Sequence, residues 1–180
     1  MSNLLIKVAV RTFFLCQSRD QALRQSQVLV GQYTALAKGL SEEAGRVRFE
    51  VPPMRGVDED MRRWSFFMLL QHNTIVNRSI TASVVQLAKG EALSGPEVID
   101  MKKGVMPSSA ADESQVELFA QSVADHIAAV RGLGNLRGTK ASRHPIFGRF
   151  DAHKWNCMFA FHLRIHLPQA RFIAEKAVAR

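Results

Sequence analysis

Cysteine is scarce in this chain of 180 residues: there are two, Cys16 and Cys157. They are too few and too far apart for a disulfide framework or a thiolate metal site, which points to a reducing compartment. No run approaches 18 uninterrupted apolar residues, so the sequence contains no membrane-spanning segment, and no membrane is expected as a partner. The apolar start Leu4 to Cys16 is broken by Lys7 and Arg11 and lacks a small-residue cleavage pattern. It reads as an amphipathic helix rather than a signal peptide, and a cytoplasmic location is expected. Also missing are internal repeats, low-complexity tracts, a Gly-rich phosphate loop after a strand, and sustained period-2 alternation.

Acids are missing from one region in particular. Residues 1–130 hold 14 Lys+Arg and 14 Asp+Glu, whereas residues 131–180 hold 10 and 2, so the formal charge of +8 lies entirely in the last 50 residues. The stretch Arg131 to Arg149 has five basic residues, four glycines and no acid. Such a loop suits an anionic substrate, but it lacks the aromatic interleaving of a single-strand binder, so nucleic acid is disfavoured as a partner.

What the chain does have is helical periodicity and one domain's length. Residues 3–40 carry apolar positions at helical spacing, first Leu5, Val8, Thr12 and Leu15, then Leu23, Val30, Tyr33 and Ala37. The capping-box pattern Ser18 to Gln21 predicts a break near Gln17. Residues 41–57 read as a connection. A second long helix is expected from the acids Asp58, Glu59 and Asp60, which suit a positive helix N-terminus, to about Lys89. Residues 90–110 carry two prolines and three glycines, a length suited to a crossover along a bundle. A third helix is expected from about 111 to 130, striped by Val116, Phe119, Val123, Ile127 and Val130. Asp151 is placed to cap the last helix, in which Pro168 predicts a kink or an early end. Together these give an all-α, single-domain bundle over residues 1–180.

The chemistry lies in WNCMFAFHLRIHLPQ, residues 155–169. Trp155, Phe159, His162, His166 and Ile173 share one helical face, so two imidazoles one turn apart point inward. His72 occupies the apolar 65/68/72/76 stripe of the second long helix. Neutral imidazoles in this pattern suit Zn, Ni, Fe or Cu. On spacing alone two readings stay open, a metal site or core histidines satisfied by hydrogen bonds, because HxxxH without the Glu of HExxH supplies no general base. His126, beside the third helix's stripe, and Gln169, beyond His166, are candidate supports behind the ligands. Asp125 and His126 are the nearest candidates for a base.

Trp64-Ser65 and His72, together with His162-x-x-x-His166, resemble the DinB/YfiT-like superfamily of metalloenzymes. His144-Pro-Ile-Phe-Gly148, Trp155 and His162-Leu-x-x-His166-Leu are similar to a branch of that superfamily with an HPFFG…W…HLxxHL signature. The resemblance implies a four-helix bundle of up-down-down-up topology with residues 1–17 as an N-terminal extension, and a homodimer. It implies a divalent ion held by His72, His162 and His166. It further implies a small-molecule substrate in a thiol S-transferase using a low-molecular-weight thiol, or in a hydrolase. The alternative is a non-catalytic stress or binding protein of the same fold with a vestigial metal site.

Overall fold

The structure is a computed structural model that describes residues 3–93 and 104–180. In chain order it contains α1 (Asn3–Cys16), α2 (Arg19–Lys38), α3 (Glu42–Arg46), a 3₁₀ turn (Glu59–Met61), α4 (Phe66–Ala88), α5 (Ser114–Arg131), β1 (Ser142–His144), β2 (Gly148–Phe150) and α6 (Ala152–Val178). The fold is an all-α bundle, as expected. Helices α2, α6, α4 and α5 form the ring, each packed against the next and α5 returning to α2. Residues 94–103 of the expected crossover over 90–110 lie outside the described residues. Among the described residues no helix is long and apolar enough to cross a membrane.

Local chemistry sets the helix starts. Ser18 and Gln21 form a reciprocal capping box: Gln21 N–H donates to Ser18 Oγ at 3.1 Å, and Ser18 N–H donates to Gln21 Oε1 at 2.8 Å. Asp151 Oδ1 accepts from the Lys154 amide at 2.9 Å and caps α6. The start of α4 is a correction. The acids Asp58 to Asp60 belong to the 3₁₀ turn, the chain then breaks, and Ser65 caps the helix by accepting from the Met68 amide at 3.2 Å. A hydroxyl that binds a free helix N–H fixes the boundary more strongly than acids acting on the dipole at a distance.

Pro168 ends nothing: α6 runs through it as 27 continuous residues. Pro168 and Arg164 are both exposed. The carbonyl that Pro168 leaves without a helical donor thus lies on the outer face, where water can reach it.

The core is aromatic and branched. Tyr33, Phe119, Phe159, Leu163 and Ile173 are fully buried. Tyr33 packs on Phe119 with ring centroids 5.1 Å apart and donates its hydroxyl to the Leu163 carbonyl at 2.8 Å, tying α2 to α5 and α6.

Helix α1 packs against α6, but not by the expected stripe. Leu5, Val8 and Leu15 are exposed, and the buried side carries Val10 and Phe14. Phe14 sits edge-on to Phe150 and Phe161 at 5.7 and 5.5 Å. Arg137 donates to the Leu15 and Gln17 carbonyls, neutralising the end of α1. Part of the basic loop's charge is therefore structural. That loop also contains an unexpected element, the antiparallel hairpin β1–β2, with Ser142 opposite Phe150 and His144 opposite Gly148.

Candidate metal centre

Adjacent packing of α4 and α6 brings His72 to His162 and His166. One ligand atom from each lies within 4.8 Å of the others. The ring centroids are 5.3 Å apart for His72 and His162, 5.0 Å for His72 and His166, and 4.6 Å for His162 and His166. His72 and His166 are buried and His162 is half-buried.

Two of the three rings have a fixed tautomer. His72 Nδ1 lies 2.8 Å from the Val105 carbonyl, which can only accept, so the ring donates from Nδ1 and keeps its lone pair on Nε2. His166 Nδ1 lies 3.0 Å from Gln169 Oε1. Gln169 donates from Nε2 to the Met61 carbonyl at 2.8 Å, which turns its own carbonyl oxygen toward His166. His166 therefore also donates from Nδ1 and presents an Nε2 lone pair. His72 Nε2 and His162 Nδ1 are buried and have no hydrogen-bond partner among the described residues. Five other buried side-chain atoms, on Gln17, Asn73, Asn77 and Asn156, also have no partner among the described residues, but in this cluster two such nitrogens lie within reach of a common point, an arrangement compatible with a metal ion.

Burial keeps all three imidazoles neutral. Desolvation, with a contribution from neighbouring His166, pushes His72 down to about 3. Desolvation also holds His162 well below its ordinary range, helped by His166, His72 and His144. His166 is lowered by desolvation, against an opposing pull from the Gln169 hydrogen bond and the charge of Asp58. Neutral imidazole is the form that ligates metal.

The segment between α3 and α4 supplies one wall. Val51 N–H donates to the Arg62 carbonyl at 2.9 Å and Arg62 Nε donates back to the Val51 carbonyl at 2.8 Å. Arg62 also pairs with Glu50 and Glu59. Gly56, at φ +77°, lies so close to α6 that an added Cβ would fall 2.4 Å from Ile165 Cγ2. From this wall come the Met61 carbonyl that holds Gln169, the Asp58 charge near His166, and Trp64, whose ring is 4.9 Å from His72.

The remaining candidates lie elsewhere. His126 stacks on Phe159 at 3.7 Å and spends both ring nitrogens, on Thr81 Oγ1 at 2.9 Å and Asn156 Oδ1 at 3.2 Å. It has no nitrogen left for an ion or for a ligand histidine, so it serves the interior of the bundle. Asp125 is exposed and accepts from Gln121 at 2.7 Å on the outside of α5. Val105, Met61 and Asp58 were not foreseen. The first two act through backbone carbonyls, which carry no residue-type signal, and Asp58 had an ordinary explanation as a helix-start acid. No family model, curated protein or solved structure matches the chain.

Proposed function

We propose that His72, His162 and His166 hold one divalent ion, Zn, Ni or Fe, and that the protein is a metal-dependent enzyme of the DinB-like type, acting on a small molecule as a thiol S-transferase or hydrolase. The observation that carries this reading is the pair of orphaned nitrogens, His72 Nε2 and His162 Nδ1, inside a cluster of neutral imidazoles. The donor set fits: nitrogen ligands suit these borderline metals, and three of them leave coordination open. A divalent ion bound there supplies Lewis acidity and favours the deprotonated form of a thiol or water.

The chain's own residues orient and shield. The Val105 carbonyl and Gln169 hold two imidazoles by their far nitrogens, the arrangement that fixes ring orientation at metal sites. Trp64 covers one side of His72 and excludes water there. Asp58 adds negative charge on the side of His166, which favours a cation. Among the described residues no carboxylate hydrogen-bonds to the cluster. A thiol needs less help from a base than a peptide bond does, so this favours thiol transfer over peptide hydrolysis. A low-molecular-weight thiol is the co-substrate of that reading, and a homodimer its expected assembly. The same absence of a base favours the alternative, a non-catalytic binding protein with a vestigial site.

Elemental analysis of untagged protein decides the first step. One ion per chain, falling to background in His72→Ala and His162→Ala while helical content stays unchanged, is the expected result. Metal-free protein after reconstitution with Zn, Ni and Fe, or full occupancy in both variants, overturns the assignment. If metal is bound, turnover of a thiol with an electrophile separates the enzyme from the vestigial site.

A further inference from the structure

Helix α1 is apolar around most of its circumference, and much of that surface faces outward. Leu5 is 61% exposed, Val8 54%, Leu15 55%, Ile6 41% and Phe13 39%. Five of the ten exposed large hydrophobic residues among those described therefore fall on this one 14-residue helix. Its inner side is already committed, through Val10 and Phe14, to α6 and the hairpin. The tip of that hairpin adjoins α1, because Arg11 donates to the Phe147 carbonyl at 3.4 Å, and next to it Ile146 is 52% exposed.

The two segments that form this surface carry charge of one sign. Residues 1–17 and 131–149 contain no Asp or Glu. Among the described residues the ion pairs are made by Arg46, Arg62, Arg63 and Lys154, leaving Lys7, Arg11, Lys140, Arg143 and Arg149 without a carboxylate partner. Exposed apolar side chains beside cations without carboxylate partners provide both attractions that hold a helix in a lipid interface, buried apolar area and charge against anionic lipid. A second copy of the chain would bring like charges together around the same face, whereas an anionic bilayer complements them. No spanning segment is needed, since such a helix lies in the plane of the interface.

We propose that α1 and the adjoining hairpin form a peripheral docking surface for an anionic lipid bilayer. The apolar side chains enter the headgroup boundary and the flanking cations meet lipid phosphates and carboxylates. This is independent of the metal centre.

Cosedimentation of the full chain with vesicles tests it. Binding is expected to phosphatidylcholine vesicles containing about one-third phosphatidylserine, and to weaken steeply with salt. Val8→Glu/Leu15→Glu should lower partitioning by about tenfold or more. Lys7→Gln and Arg11→Gln should each lower it about fivefold at low salt. Val8 and Leu15 are exposed, so the melting temperature and metal content of Val8→Glu/Leu15→Glu should match the parent protein. Equal binding to pure phosphatidylcholine, unchanged binding in the variants, or a dimer abolished by Val8→Glu/Leu15→Glu without any vesicle binding overturns the proposal.

Discussion

At the scale of single residues, Gln169 is the most informative position. Its amide is fully buried and forms one chain, from the His166 imidazole through its own carbonyl and amino groups to the Met61 carbonyl. Gln169→Leu removes both bonds, freeing the His166 ring to rotate and leaving the Met61 carbonyl without its donor. Loss of such a support behind a ligand costs about 10–100-fold in metal affinity. Competition with a chromophoric chelator should show that loss, and Gln169→Glu, which keeps an acceptor beside His166, should recover part of it. Equal affinity in all three proteins would mean that Gln169 only packs. The three histidines and Gln169 were legible in the sequence because helical spacing alone places His72, His162 and His166 on inward stripes. The partners from the wall were not legible. Met61 and Val105 contribute carbonyls that every residue has, and nothing local to 47–65 says that the segment folds back onto α6.

At the scale of elements, boundaries were readable where a side chain caps a helix and misread where two signals competed. Ser18 with Gln21, and Asp151, are capping residues in the sequence and in the structure. At α4 the acids at 58–60 outweighed the quieter Ser65. In α1 apolar residues occupy nearly the whole circumference, so periodicity could not decide which side is buried, and Phe14 rather than Leu15 faces inward. The hairpin has strands of three residues each, too short for alternation to register. Asp151 joins two of these elements. It caps α6 through Oδ1 and accepts from the Gly138 amide through Oδ2 at 3.2 Å, anchoring the basic loop. Asp151→Ala should destabilise the fold by about 1–2 kcal/mol. In a domain of this size that lowers the melting temperature by several degrees, on the order of 2–4 °C per kcal/mol. Metal stoichiometry should stay at one per chain, because α6 remains packed along its length. A melting temperature that does not move would show that the cap contributes nothing beyond what water supplies.

At the scale of the whole molecule, the bundle was legible because its ring helices carry apolar stripes, and that same burial sets how the protein responds to acid. All six histidines are held below the usual imidazole value, with desolvation the largest cause in each. His126 and His144 lie outside the cluster, and both are pushed down to about 4. In the unfolded chain they return to about 6.5. Each therefore takes up a proton on unfolding between pH 6.5 and its folded value. Stability is fully present above that window and is lost as pH falls through it. For a histidine shifted this far, moving from pH 7 to pH 5 costs about 2 kcal/mol. His126 and His144 together then cost about 4 kcal/mol, a large part of a typical domain's stability of roughly 5–15 kcal/mol. The three histidines of the cluster are lowered in the same direction and act with them. Urea unfolding of the metal-free protein should therefore show a midpoint that drops markedly between pH 7 and pH 5 and is level between pH 7 and pH 8. Replacing His126 by Gln keeps polar atoms near Thr81 and Asn156 and removes the titrating group. The slope of stability against pH near pH 5 should then fall by about 1.4 kcal/mol per pH unit, the value of one proton. A slope unchanged by that substitution would mean that His126 is already protonated in the fold, which its stacking on Phe159 in a fully buried site opposes.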